Sequence, residues 1–363
     1  MAFIKQPSKY FPMFAGLLIL IAATPGFAQK MQTQQYPQPQ ESPQQEPQAK
    51  PHQKGAGPSQ DEVDAAKKVE QGTDAEARLK AATDFAKKYP KSTLMKQVAT
   101  LVASKIDEVK DGSQKITFAQ TYKGIFKGPD ETAIIEPVLL DGFIKANRLD
   151  EAFQQGAADM QHDPNNVEIA TRLALLAYDQ LRQKNTKYAA QCIDLSTKAI
   201  ALIEGDKKPE QLTDQQWRDY KTRLLAALYQ ATGYYLLSSN KPDEAMAKFE
   251  KSAATNPTDP FSYVLMGGVA YEHYAEVAKK YKAASPGPAQ DDLLKTALAT
   301  LDKVIDYYAH ATALSEGNVQ LKQLHDGILE ELTTFYKYRH NSDEGLQQLI
   351  DKYKAPASTA PAR

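Results

Sequence analysis

Few side chains in this 363-residue chain could do chemistry, and they are scattered. A zinc site would draw on six histidines (His52, His162, His273, His310, His325 and His340) and one cysteine, Cys192. Zinc asks for three or four ligands at compatible spacing. No His-Glu-x-x-His run or paired-cysteine pattern supplies them. One cysteine also leaves no intrachain disulfide to form. Phosphate cradling needs a glycine-rich loop, and neither the P-loop nor the dinucleotide pattern occurs. The Gly-x-Ser-x-Gly turn of a serine nucleophile is missing too. Acid–base work requires two carboxylates held in different environments. Asp291-Asp292 and Glu330-Glu331 are adjacent pairs of the kind that solvated helix faces carry. Glu272-His273, flanked by Tyr271 and Tyr274, reads as surface or groove packing. The chain therefore reads as a non-enzyme with no catalytic residue, no cofactor and no metal; the rival reading is an envelope enzyme whose active site is assembled across helices.

Recognition remains. The chain has 19 tyrosines, dense in its second half, and tyrosine joins a rigid apolar body to a polar tip. With 44 Lys and Arg against 45 Asp and Glu, the net charge is -1. No basic excess is present to displace the counterions of a nucleic acid, so nucleic acid is not an expected partner. A protein or peptide is.

The elements that must position these residues begin after about sixty residues. Lys5 and Lys9 precede the uncharged apolar run Met13 to Ala23, and Gly26-Phe27-Ala28 offers small residues before Gln29. That order predicts a signal peptide over 1–28 and export to periplasm, cell envelope or medium. The alternative is an uncleaved segment that anchors a structural envelope component, the only contact with a membrane that the chain implies. Residues 29–60 are rich in Gln and Pro, with too little apolar surface to offset chain entropy, and read as a disordered linker. Residues 355–363 read as a flexible tail.

Between them, 61–354 carries apolar residues at helical spacing and strong helix formers throughout. Ten to twelve helices are expected, broken at Tyr89-Pro90, Asp163-Pro164, Asn256-Pro257 and Ser285-Pro286-Gly287-Pro288. Thr213 and Gln216 fit a capping box opening a helix of about 25 residues. Pro242-Asp243-Glu244 fits a first turn. The residues 283–290 read as an inflated turn.

One motif repeats. Asn147-Arg148-Leu149-Asp150-Glu151-Ala152 is followed twelve residues later by Pro164, and Asn240-Lys241-Pro242-Asp243-Glu244-Ala245 by Pro257. Asn341-Ser342-Asp343-Glu344-Gly345 is a weaker copy, and Glu76 to Ser92 reads as a second-helix half closing at Pro90.

On these residues the chain resembles the tetratricopeptide repeat, a 34-residue helix–turn–helix unit. The best match runs from Ala226 to Asp259. Tyr229 stands at the family's Trp, and Gly233 and Ala245 at its small residues. Phe249 and Pro257 match its later aromatic and its terminal Pro. Gly267 follows Gly233 by 34 residues. Thr232, Leu236 and Ser252 depart from the usual Leu, Tyr and Ala. The resemblance implies an all-α fold, a right-handed α-solenoid of antiparallel helix pairs, some unusually long. It implies that the first helix of each pair lines a concave groove. The groove positions fall on Asp141 and Lys145, on Gln230 and Tyr234, and on Phe261, Val264, Tyr271 and Glu272. That aromatic and polar mixture would suit an extended peptide or a partner helix.

Overall fold

Helix boundaries follow the chemistry of the turns. The structure, a computed structural model, describes residues 57–209 and 212–354. The leader expected at 1–28, the linker up to residue 56 and the tail at 355–363 lie outside them. The described residues form fourteen α-helices and two short 3-10 turns, with no strand among them. This is an all-α helical repeat fold. The chain divides into two compact units, which meet in sequence between Pro164 and Asn165.

The first unit holds α1 (Gln60–Glu70), α2 (Ala75–Lys88), α3 (Met95–Asp107), α4 (Gly112–Ile125), α5 (Pro129–Lys145) and α6 (Leu149–His162). Each helix packs on the next, and α3 also packs on α1 and α5. The second holds α7 (Val167–Arg182), α8 (Ala189–Glu204), α9 (Asp214–Ser238), α10 (Pro242–Thr255), α11 (Pro260–Ala283), α12 (Pro288–Ser315), α13 (Lys322–His340) and α14 (Leu346–Asp351). Here too successive helices pack together as far as α13. In addition, α7 touches α9, and α14 folds back on α12.

The motif seen in the sequence is a backbone device. Asn147 and Asn240 adopt left-handed φ values of 54° and 59°. Asparagine tolerates that region better than other residues with a side chain. Each turn then closes in the same way. Arg148 N–H donates to Phe143 O and Asn147 N–H to Ile144 O. Lys241 N–H donates to Leu236 O and Asn240 N–H to Leu237 O. These are the paired bonds that satisfy the last carbonyls of a helix. Lys184 and Asp206 end α7 and α8 with the same two bonds. The helix exits recur as well. Tyr89, Asp163 and Asn256, each before a proline, share φ between -125° and -132° and positive ψ. The proline behind them excludes the helical region. Helices α2, α6 and α10 consequently all have 14 residues.

Starts are equally local. Thr213 and Gln216 form the expected capping box. Ser59 and Glu62 form another. Asp74, Asp111, Asn166 and Asp259 each accept a first-turn amide. Two expectations change. The helices outnumber the ten to twelve expected, because 60–125 folds as four short ones. The turn expected over 283–290 is shorter, since 283 and 288–290 are helix. Only 284–287 separate α11 from α12, and the additional length makes these helices 24 and 28 residues long.

Close approach between paired helices rests on glycine facing an aromatic ring. A Cβ on Gly233 would come within 2.5 Å of the Phe249 ring, and one on Gly267 would overlap the Tyr308 ring. Phe249 packs with Leu236, Ala245, Met266 and Val269. Tyr308 packs with Leu301, Val304, Leu332 and Phe335.

Candidate functional site

The eight groove positions separate by burial. In the second unit, Gln230 is 1% exposed and Val264 6%. Gln230 leaves α9 and spans to the start of α11. Its Nε2 donates to Asp259 Oδ2 (2.7 Å) and Ser262 Oγ (3.1 Å). Ser262 in turn meets Ser252 Oγ, which donates to Ala226 O (2.8 Å). Gln230 thus ties three helices together internally and offers nothing to a partner. Val264 belongs to the core with Leu301, Ile305 and Tyr308. Both readings as groove contacts are corrected: α12 covers Val264, and the polar cluster claims Gln230.

Four positions are half-buried and therefore touch both core and surface. Tyr234 stands edge-on to Tyr178, with ring centroids 5.7 Å apart. Phe261 and Tyr271 pack against the core, Tyr271 with its ring 5.2 Å from Phe335. Asp141, in the first unit, is the fourth. Only Glu272 and Lys145 are exposed. Burial raises the Tyr234 phenol, so it stays a neutral donor at ordinary pH.

Asp141 and Lys145 belong to a charged cluster that the sequence reading missed. Lys115 on α4 is 0% exposed. Its Nζ donates to Asp107 O (2.8 Å), Asp107 Oδ1 (3.0 Å) and Asp141 Oδ2 (2.6 Å). Lys145 adds a second cation 2.7 Å from the same Asp141 oxygen. Burial alone would lower the Lys115 ammonium, but its bonds to Asp141 and Asp107 outweigh it and raise the value. A lysine held charged in this way is a poor nucleophile; it joins α3, α4 and α5. A signal existed: Lys115 lies in the apolar stripe of Ile116, Ala119 and Tyr122.

A second missed feature is an aromatic stack. The His310 imidazole lies between Tyr263 (3.7 Å between centroids) and Tyr353 (4.3 Å). Tyr353 Oη donates to Asp306 Oδ1, pinning the turn after α14 onto α12. Burial lowers the His310 imidazole, with Asp306 opposing. The ring is therefore mostly neutral at pH 7 and is sandwiched as a packing element.

Asp206, just beyond α8, is held by two side chains of α9. Trp217 Nε1 donates to Asp206 Oδ1 (2.6 Å), and Lys221 pairs with the same oxygen (3.0 Å). Cys192 is buried, which pushes its thiol up to about 12. No cluster of three His, Cys, Asp or Glu able to hold a metal ion occurs among the described residues. No described helix is long and apolar enough to cross a membrane. Among the described residues, Val319 at 87% is the one large apolar side chain left exposed. Neither a protein-family model nor a curated protein sequence matches the chain.

Proposed function

We propose that this protein is an exported, non-enzymatic scaffold of tetratricopeptide type that binds an extended peptide of a partner protein. The observation that carries the scaffold reading is the recurrence of one turn. A left-handed Asn closes the first helix, and an extended residue before Pro closes a 14-residue second helix, in both units. Stacked helix pairs of this kind exist to present surface, since each pair buries its apolar face only against a neighbour. The peptide is favoured over an amphipathic helix by the surface itself. A helix docks by laying apolar anchors into an apolar groove. Of the positions here that reach the surface, Tyr234 and Tyr271 carry phenols and Glu272 a carboxylate, against one purely apolar ring, Phe261. The export reading rests on the order of residues in 1–28.

The test is capture of partners from an envelope extract by the full mature chain, beside Glu272→Arg and Tyr234→Ala variants checked for native helicity. A partner retained by wild type and lost from both folded variants supports the reading. Equal retention by all three overturns this surface. Sequencing the mature N-terminus decides export: Gln29 supports cleavage, and a retained Met1 or Ala2 supports the anchored alternative.

A further inference from the structure

Asp159 occupies the interior face of α6. Its exposure is 2%, and its Oδ1 accepts from Gln155 Nε2 at 2.5 Å. Its Oδ2 is buried with no hydrogen-bond partner. A carboxylate in such a place is costly, because the charged form has lost its water and gained one bond. A carboxylic acid there is much cheaper. The charges that reach Asp159 are Glu136 of α5, Lys123 of α4 and His162 of its own helix. Glu136 opposes ionisation; Lys123 and His162 favour it. No ion pair involves Asp159 among the described residues. The second copy of the motif shows what the position holds when it is purely structural. Ser252 stands there, neutral and fully bonded to Ala226 O and Ser262.

We propose that α6 is a proton-operated latch: a proton on Asp159 holds α6 closed against α5, and its loss loosens that helix. The direction follows from linkage. Burial pushes the Asp159 carboxyl up to about 6, with Gln155 opposing and Glu136 adding. In an opened α6 the same carboxyl returns to its ordinary value near 3.9. The closed form therefore binds the proton more tightly. Closure is fully supported below the ordinary value, weakens as pH rises toward 6, and stays weak above it. Between about pH 5 and about pH 7.5 the opening equilibrium should rise about tenfold. A chain passing between acidic and neutral surroundings would change the mobility of 149–162 without unfolding.

The test is hydrogen exchange of the full chain, read by mass spectrometry as protection factors corrected for the intrinsic rate. Wild-type peptides from α6 should lose about tenfold protection across that interval, while peptides from α10 hold theirs. Asp159→Asn, which keeps the shape and removes the charge, should make α6 protection flat with pH. A flat wild type, or an equal slope in Asp159→Asn, overturns the proposal. A carboxyl-carbon NMR titration of the wild type needs no variant. A midpoint near 6 for Asp159 supports the latch, and one in the ordinary carboxylate range overturns it.

Discussion

Residues 147–164 and 240–257 share one backbone and differ inside. Both begin at a left-handed Asn, and both set a basic residue against a glutamate three positions on. Arg148 meets Glu151 at 2.8 Å, and Lys241 meets Glu244 at 3.0 Å. Both bury an alanine completely, Ala152 and Ala245. One helical turn later they part. The first carries Gly156 and Asp159 where the second carries Phe249 and Ser252. Across the pair, the preceding helix carries Leu140 in the first and Gly233 in the second, so large and small exchange places. The turn is thus set by local chemistry that repeats, while the interior is set by volume and polarity that each unit solves for itself. At the matched position the first unit buries an ionisable carboxyl, Asp159. The second fills the matching place with a ring and a neutral hydroxyl network.

The hardest way to break the comparison is at Lys115. Replacing it by Met leaves Asp107 and Asp141 without their shared cation. The expected cost is about 2–3 kcal/mol in urea unfolding, confined to the first unit, since Asp141 keeps Lys145 and Asp107 reaches solvent. A variant within experimental error of wild type would show that this unit does not depend on buried charge. Next comes volume. Gly233→Leu should cost about 1–3 kcal/mol by overpacking Phe249. Adding Phe249→Ala should cost less than its own effect predicts, because the two share one space. Strict additivity would deny the contact. Third, Asn147→Ala and Asn240→Ala should each cost about 1–2 kcal/mol, since Ala pays more than Asn for left-handed backbone. Equal costs sharpen the claim of a common turn; a large inequality breaks it. The smallest effect is at Ser252→Ala, roughly 0.5–1 kcal/mol for one neutral hydrogen-bonding group, unchanged with pH. That flat profile is the counterpart of the pH dependence expected at Asp159.

Local signals in the sequence anticipated much of the fold. Thr213, Gln216, Pro242 and the X-Pro exits act through neighbouring backbone, and the structure has helix ends at each. Pro288 was ambiguous, because proline opens a helix as readily as it ends one. It opens α12, so the turn expected over 283–290 shortens to 284–287. The surface was harder to read. Repeat register assigns a face on the assumption of an ideal stack, and it placed Gln230 and Val264 in a groove. Asp259, Ser262 and α12 are non-local partners that take those side chains inside. Lys115 and Asp159 were visible as charges within apolar stripes. Whether such a charge is paired or orphaned depends on other helices, Asp141 of α5 in one case and Glu136 of α5 in the other.

The unequal helix lengths have a practical consequence. At 1.5 Å per residue, α11 and α12 run about 36 and 42 Å, against about 21 Å for α10 and about 29 Å for α13. The hairpin of α11 and α12 therefore outreaches its sequence neighbours. Its tip is self-contained: Gln290 Nε2 donates back to Tyr281 O and Ala284 O, while Ser285 and Pro286 are exposed. Foreign sequence spliced between Ser285 and Pro286 would enter where few other contacts depend on the backbone. That makes the tip a natural fusion point for a fluorescent reporter or an epitope.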